Sequence, residues 1–261
     1  MRTVEKAAED SSALDRFRVR LTITGGDLNM LDRGKRSGTD AGPDQSDEND
    51  GPTLMIVVTP ATAYPREMFE QGVGVVVADF KANPLDPFAG HKTVNYWARL
   101  RELQQAAAKR AGEALVFQVT NFLAGGCVSN ALLVRDGQIV TPIAQGEEQD
   151  VAAGGSGGVG IDGAEPAESP STATTAGAVA PSPVLPGVTR AWALDWAESA
   201  GMDVVKRMVT ISDVLGADEV ILTNSSWGAL PVVRVEREAI GDAVVGPVAK
   251  RLRAAWMELA E

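Results

Sequence analysis

Apolar and polar residues alternate along RFRVRLTIT (16–24), the period of two expected of a strand with one covered face. TLMIVVTP (53–60) and GVGVVVADF (72–80) are valine-rich apolar runs of strand length. A loop with two prolines, NPLDPFAGHK (83–92), leads into VNYWARLRELQQAAAKRAG (94–112). There Val94, Trp97, Leu100 and Leu103 recur at helical spacing and Gly112 ends the run, which predicts a helix with that stripe turned inward. ALVFQVTNF (114–122) and CVSNALLV (127–134) read as strands, RDGQ (135–138) as a turn, and QIVTPI (138–143) as a returning strand. LPGVTRAWALDWAESAG (185–201) reads as loop then helix, and the stretch to residue 235 mixes short strands with a helix. GPVAKRLRAAWMELAE (246–261) closes as a helix with Pro247 at its first position. Strands in hairpins with helices interspersed predict an α+β fold rather than a doubly wound sheet.

Two stretches break the pattern. Residues 34–52 carry five acids and two bases, and residues 145–183 carry six acids and no base. Together they account for nine of the eleven net negative charges of the 261-residue chain. Both are rich in Gly, Ser, Pro and Asp and too poor in large apolar residues to offset their ordering entropy, so they read as disordered, solvated insertions. The remaining roughly 200 residues are close to neutral, with no basic cluster of the kind that binds nucleic acid. No apolar run is long enough to span a membrane, and the charged start MRTVEKAAEDSS has no signal-peptide core, so a cytoplasmic protein is expected. A single cysteine and a single histidine exclude a zinc site of the usual kind, and no metal is expected.

Three places offer chemistry. Lys92 stands where the proline-containing loop meets the helix, with Tyr96 one turn on. A lysine there is ordinarily a solvated charge; in an apolar, aromatic-lined site its pKa would fall and it could form a Schiff base. Gly187 precedes a helix whose first turn offers the N–H groups of Val188 and Thr189 and the Thr189 hydroxyl, a ready anion site although most helix starts bind nothing. Thr223, Ser225 and Ser226 crowd a turn between two strands, as plain turn chemistry or as further phosphate donors. A fourth place is odd. Gly125-Gly126, in LAGGCVSN, would weaken any strand it sits in.

Taken in order, HKTVNY, GGCVSNALLVRDGQIVTP, LPGVTR, DEVILTNSSWGALPV and VGPVAKRL resemble the class IV aminotransferases, pyridoxal-phosphate enzymes that include branched-chain and D-amino-acid aminotransferases and aminodeoxychorismate lyases. The resemblance runs from about Arg16 to the end, skipping both insertions. It implies that family's fold, with a complete large domain over 81–261 and a curtailed small domain over 1–80. It also implies a homodimer and pyridoxal 5'-phosphate as cofactor. Lys92 falls on the lysine that holds the cofactor as a Schiff base and moves protons on the substrate. Tyr96 falls near a tyrosine that bonds the cofactor's phenolic oxygen, while Val188, Thr189 and Ser225 fall on phosphate binders.

Gly125 falls where many members carry a glutamate beside the pyridine nitrogen. That carboxylate keeps the ring protonated and electron-withdrawing, so its loss predicts slower carbanion chemistry, and Gly125→Glu would restore turnover if nothing else has changed. Only about 15 residues precede Arg16, and the phosphate-clamping arginine of the family's N-terminal portion has no match. Three functions follow from the resemblance: a transaminase acting on an amino acid and a 2-oxo acid; a lyase that eliminates pyruvate; or a non-catalytic relative. His91 is read as a shaper of the loop, Cys127 as a small buried residue, and Trp97, Trp192, Trp196 and Trp256 as core-facing helical residues. Trp227, in the turn after Ser226, is read as bordering the ligand pocket.

Overall fold

The structure, a computed structural model, describes residues 16–25, 52–148 and 181–259. Residues 34–51 and 149–180, the bulk of the two expected insertions, lie outside the described residues. By its internal contacts the chain divides after Ala63. The first unit is a hairpin of β1 (Phe17–Ile23) and β2 (Leu54–Pro60), paired antiparallel from Phe17↔Pro60 to Ile23↔Leu54.

The second unit, from Tyr64 onward, is built on a nine-stranded sheet. A short helix, α1 (Glu67–Glu70), precedes β3 (Val73–Ala82), so β3 lies wholly in this unit. Next come α2 (Trp97–Ala108), β4 (Glu113–Gln118), β5 (Leu123–Gly126), β6 (Asn130–Arg135) and β7 (Gln138–Pro142). The remainder is α3 (Val188–Ser199), β8 (Val204–Arg207), α4 (Ile211–Leu215), β9 (Glu219–Asn224), β10 (Gly228–Val235), β11 (Glu238–Ala239) and α5 (Pro247–Leu259). The sheet order is β5-β4-β3-β10-β9-β6-β7-β8, with β11 beside β10. β3 is parallel to both β4 and β10, and β7 to β8; the other pairs are antiparallel. The expected α+β class therefore holds.

The central strands β6 and β9 are covered on both faces, which is why ALLV and EVIL are continuous apolar runs rather than alternating ones. One face carries Val75, Leu115, Leu133, Leu222 and Leu230 in a single core cluster. On the other, α3 and α5 cover Leu132, Ile139 and Ile221, and α2 covers Val76, Ala114 and Val116. Leu123, on the edge strand β5, donates its N–H to the Val209 carbonyl (2.7 Å), just past the opposite edge strand β8. The sheet thus curls until its two edges meet.

Two elements differ from the sequence expectation. The strand expected over 114–122 stops at Gln118, because Asn121 has φ 64° and the chain turns there; Leu123–Gly126 then pairs back as β5. Of the expected stripe, Leu103 packs against the core cluster beneath α2, but Val94, Trp97 and Leu100 are exposed, Trp97 at 72%, whereas Glu102 and Ala106 are buried. The register between Val77 and Lys81 is irregular, and the Glu102 carboxylate accepts the Asp79 N–H there (2.9 Å). That capture of a backbone donor within the broken ladder turns α2 so that its small and polar side meets the sheet. Trp192 and Trp256 do meet core-side, edge to face at 5.2 Å, with Trp196 packed on the same cluster.

Candidate functional site

Gly125 and Gly126 end β5, and residues 127–129 turn the chain into β6 with the Gly126 N–H donating to the Ser129 carbonyl (2.9 Å). Gly125 has φ 119°, a region open to glycine, and a Cβ there would lie 2.8 Å from the Ser129 carbonyl oxygen. A Cβ on Gly126 would collide with the Ser129 hydroxyl and approach Glu113 Cγ at 3.0 Å. Glu113, the first residue of β4, is fully buried beneath this turn. Its carboxylate accepts the N–H groups of Ala114 (3.0 Å), Cys127 (3.3 Å) and Val128 (3.3 Å), and the Ser129 hydroxyl (3.1 Å). Burial raises its pKa, and these four hydrogen bonds oppose the rise. Sequence reasoning missed Glu113. The available signal was an acid at the head of an otherwise apolar strand. Cys127 is buried, as expected; burial first, then the Glu113 charge, push its thiol up to about 12, so it is no nucleophile.

A second structure opens at α3. Gly187 is its N-cap and supplies no side chain, so the first-turn N–H groups of Val188 and Thr189 have no helical partner. Thr189 is buried and its hydroxyl donates to Ser225 Oγ at 3.5 Å, a long contact that brings two of the expected phosphate donors together. The Val188 side chain is 82% exposed, so only its backbone can serve. Asn130 sets the approach: its amide donates to the Leu185 carbonyl (2.8 Å), and its Oδ1 lies so close to Gly187 that any Cβ there would clash.

The third residue of α3 anchors the helix. Arg190 is buried and donates to Thr141 Oγ1 (3.1 Å), the Pro142 carbonyl (2.9 Å) and both oxygens of Glu147 (3.0 and 2.8 Å). Lys206 adds a contact to Glu147 at 2.9 Å. Burial alone would raise the Glu147 pKa, but Arg190, the Ala144 N–H and Lys206 outweigh it and hold the carboxyl at about 2. A depressed carboxyl stabilises the fold above its unfolded pKa and loses that contribution as pH falls through the folded value. Stability is therefore expected to decline between about pH 4.5 and 2, less steeply in Glu147→Gln; chemical denaturation across that window checks it.

Lys92 is exposed in the loop before α2, with Nζ 4.9 Å from the centroid of the Tyr96 ring. Tyr96 is the N-cap of α2 rather than a residue one turn inside a helix. The described residues build no apolar enclosure around Lys92. His91 is exposed, its Nδ1 3.2 Å from the Ala89 carbonyl and its ring beside Gln145, which fits the loop-shaping reading. Trp227 is buried and edge-on to Tyr64 at 5.8 Å, in the core rather than on an open pocket wall.

The expected residues thus fall in two pairs, Lys92 with Tyr96 and Thr189 with Ser225. The Gly125–Asn130 turn lies between their elements. Arg99 of α2 donates to the Gly126 carbonyl (2.9 Å), Asn224 donates to the Val128 carbonyl (3.2 Å), and Asn130 holds the approach to α3. Asn224 Oδ1 also accepts the N–H groups of Ser226 and Trp227 (2.9 and 3.0 Å), shaping the turn that carries Ser225.

The family described as amino-transferase class IV matches residues 2–148 and 176–235, most of the chain. The chain belongs to the class IV aminotransferases. It is 26% identical over 211 residues to a branched-chain-amino-acid aminotransferase of Escherichia coli, covering 79% of this chain and 56% of that protein. It is 21% identical over 209 residues to a putative branched-chain-amino-acid aminotransferase of Methanocaldococcus jannaschii, covering 80% and 59%. Similar solved structures include the Escherichia coli branched-chain aminotransferase (TM-score 0.69, 22% identity, 98% of this chain and 69% of that one). The 4-amino-4-deoxychorismate lyase of Pseudomonas aeruginosa has a TM-score of 0.65 at 22% identity, covering 92% and 70%. Another branched-chain amino acid aminotransferase, in complex with N-(5'-phosphopyridoxyl)-L-glutamate, has a TM-score of 0.61 at 23% identity, covering 80% and 57%. These likenesses place the chain in the fold of that family. The chain spans little more than half the length of the two curated relatives.

Within the family, this member divides its fit to a phosphorylated pyridine cofactor. The α3 start supplies unpaired N–H groups and two hydroxyls suited to a phosphate. At 125, the turn offers main chain and no carboxylate.

Proposed function

We propose that this chain is a pyridoxal-phosphate-dependent transaminase acting on an amino acid and a 2-oxo acid. The observation that carries this reading is the uncapped start of α3, with buried Thr189 bonded to Ser225, beside the Gly125–Asn130 turn. When bound, the cofactor supplies an electron-withdrawing ring that accepts the electron pair of a cleaved substrate bond. Thr189, Ser225 and the Val188 N–H hold the phosphate; Asn130 and Arg190 keep that helix start in place. Lys92 would be the amine that holds the cofactor and would carry a proton between substrate atoms, with Tyr96, its ring centroid 4.9 Å from the Lys92 Nζ, beside that charge and placed to bond the cofactor's phenolic oxygen. We assign the unit before Tyr64 to the small domain and the unit from Tyr64 onward to the large, cofactor-holding one, since a boundary between residues 80 and 81 would cut β3.

A second reading has its own support. Gly125 is fixed in a conformation closed to other residues, so this member is a weak or non-catalytic relative that keeps the phosphate site. Absorption spectra with pyridoxal phosphate, before and after borohydride, test both readings. Wild type is expected to show a band that borohydride traps and that Lys92→Ala abolishes. Amino transfer to a 2-oxo acid then marks the transaminase, pyruvate release without an acceptor marks an elimination, and neither marks the second reading. No band in folded protein overturns the cofactor altogether.

We also propose a cytoplasmic homodimer. The homodimer has apolar support: along the segment 85–97 that carries Lys92, the residues Leu85, Phe88, Val94 and Trp97 are at least two-thirds exposed, which suits an association surface. Light scattering is expected to give twice the chain mass, falling towards one chain in Trp97→Lys.

A further inference from the structure

Thr223 is buried, 1% exposed, and its hydroxyl has no hydrogen-bond partner among the described residues. A buried hydroxyl without a partner is destabilising, and valine would fill the same volume without that penalty. The position of Thr223 on β9 says what the hydroxyl meets. Val220 and Leu222 point into the core that holds Leu115, and Ile221 points to the side covered by α3 and α5. By the two-residue period, Thr223 shares the α3 side with Ile221, and Ser225 continues that row. Ser225 is the acceptor of Thr189 in the first turn of α3. Across the ladder, the Cα partner of Thr223 on β6 is Asn130, the residue pressed on Gly187 and bonded to Leu185. Its partner on the other side, Ala229, has no polar atom to offer beyond the backbone. Thr223 therefore lies among the residues that form the start of α3, with one donor and nothing among the described residues to take it.

We propose that Thr223 is a further ligand-binding residue of this site, its hydroxyl donating to the phosphate group held at the start of α3. The inference rests on the phosphate site proposed above and extends it by one residue, at a position that the sequence alone does not distinguish from Ser226. A hydroxyl donor to an anionic oxygen makes a charge-assisted hydrogen bond, stronger than a neutral one. It also explains why the β9 row carries threonine where an apolar residue would pack as well. Bound phosphate and protein thus complete each other: the anion gains a donor, and the donor gains an acceptor.

The test uses the full chain and three probes: inorganic phosphate, pyridoxal 5'-phosphate, and pyridoxal, which lacks the phosphate. Dissociation constants come from titration calorimetry, and thermal unfolding is followed with and without inorganic phosphate. Thr223→Val is expected to weaken both phosphate-bearing probes by about ten-fold or more and leave pyridoxal unchanged. Without phosphate it should melt no lower than wild type; with phosphate it should lose most of the wild-type rise in melting temperature. Thr223→Ser, which keeps the hydroxyl and loses only the methyl, should retain wild-type affinity, and it remains informative should the valine variant fold poorly. Equal phosphate affinity in wild type and Thr223→Val overturns the inference while leaving the site intact. So does a Thr223→Ser variant that weakens phosphate about ten-fold, since that assigns the effect to packing. Wild type that binds neither phosphate-bearing probe overturns the parent site itself, and this inference with it.

Discussion

Gly125→Glu is expected to lower stability by about 2 kcal/mol or more and to give no gain in turnover. From sequence alone the glycine is a missing carboxylate, and replacing it would be a repair. The structure makes it a different turn. At φ 119° any side chain is strained, and the new Cβ would lie 2.8 Å from the Ser129 carbonyl oxygen. The turn cannot relax cheaply to make room, because Glu113 holds residues 127–129 through two N–H groups and the Ser129 hydroxyl. Gly125→Ala should show nearly the same loss, since the penalty begins at Cβ. Urea unfolding of both variants checks this. A glutamate variant as stable as wild type and faster in turnover would show that the turn is a passive gap after all.

Arg190→Met is expected to cost about 3 kcal/mol, because removing one member of a buried pair leaves the other uncompensated. Arg190 is 2% exposed, while Glu147 retains Lys206 as a partial partner, which places the loss at the lower end of the usual range. For a chain of this size that is a fall in melting temperature of about 6–12 °C. The effect should reach the ligand as well as the fold. Arg190 is the third residue of α3, and the bonds it makes to Thr141, Pro142 and Glu147 fix the helix start that Gly187 and Thr189 share. Phosphate affinity should therefore fall in Arg190→Met even under conditions where the protein is fully folded. A variant with wild-type affinity and lowered stability would separate the anchor from the site.

What the sequence made legible was local. LPGVTR announces its helix start through a glycine, a threonine and the apolar spacing that follows, and α3 begins at Val188. The hairpin over 130–142 is written in its Asp-Gly turn, and β6 and β7 pair across it. What stayed hidden depends on partners far along the chain. Glu113 looks like a stray acid until β4 and β5 are in register and the 127–129 turn closes over it. Glu147 and Glu148 read in sequence as part of an acidic, solvated stretch; each instead binds a residue more than thirty positions away. The α2 stripe misled for a physical reason: periodicity reports which side chains share a face, not what lies opposite that face. Here the opposing ladder had an unpaired N–H at Asp79, and the acid Glu102 answered it.

Glu148 accepts the Ser182 N–H, Ser182 donates its hydroxyl to the Ile143 carbonyl, and Gln145 donates its N–H to the Val184 carbonyl. The chain leaving β7 is thus stapled to the chain entering α3 before either reaches the stretch between them. For protein engineering this is a socket. A binding domain or fluorescent reporter spliced between Glu148 and Pro181 would hang from a closed neck, and length or cargo beyond that neck would be mechanically insulated from the helix that Arg190 anchors.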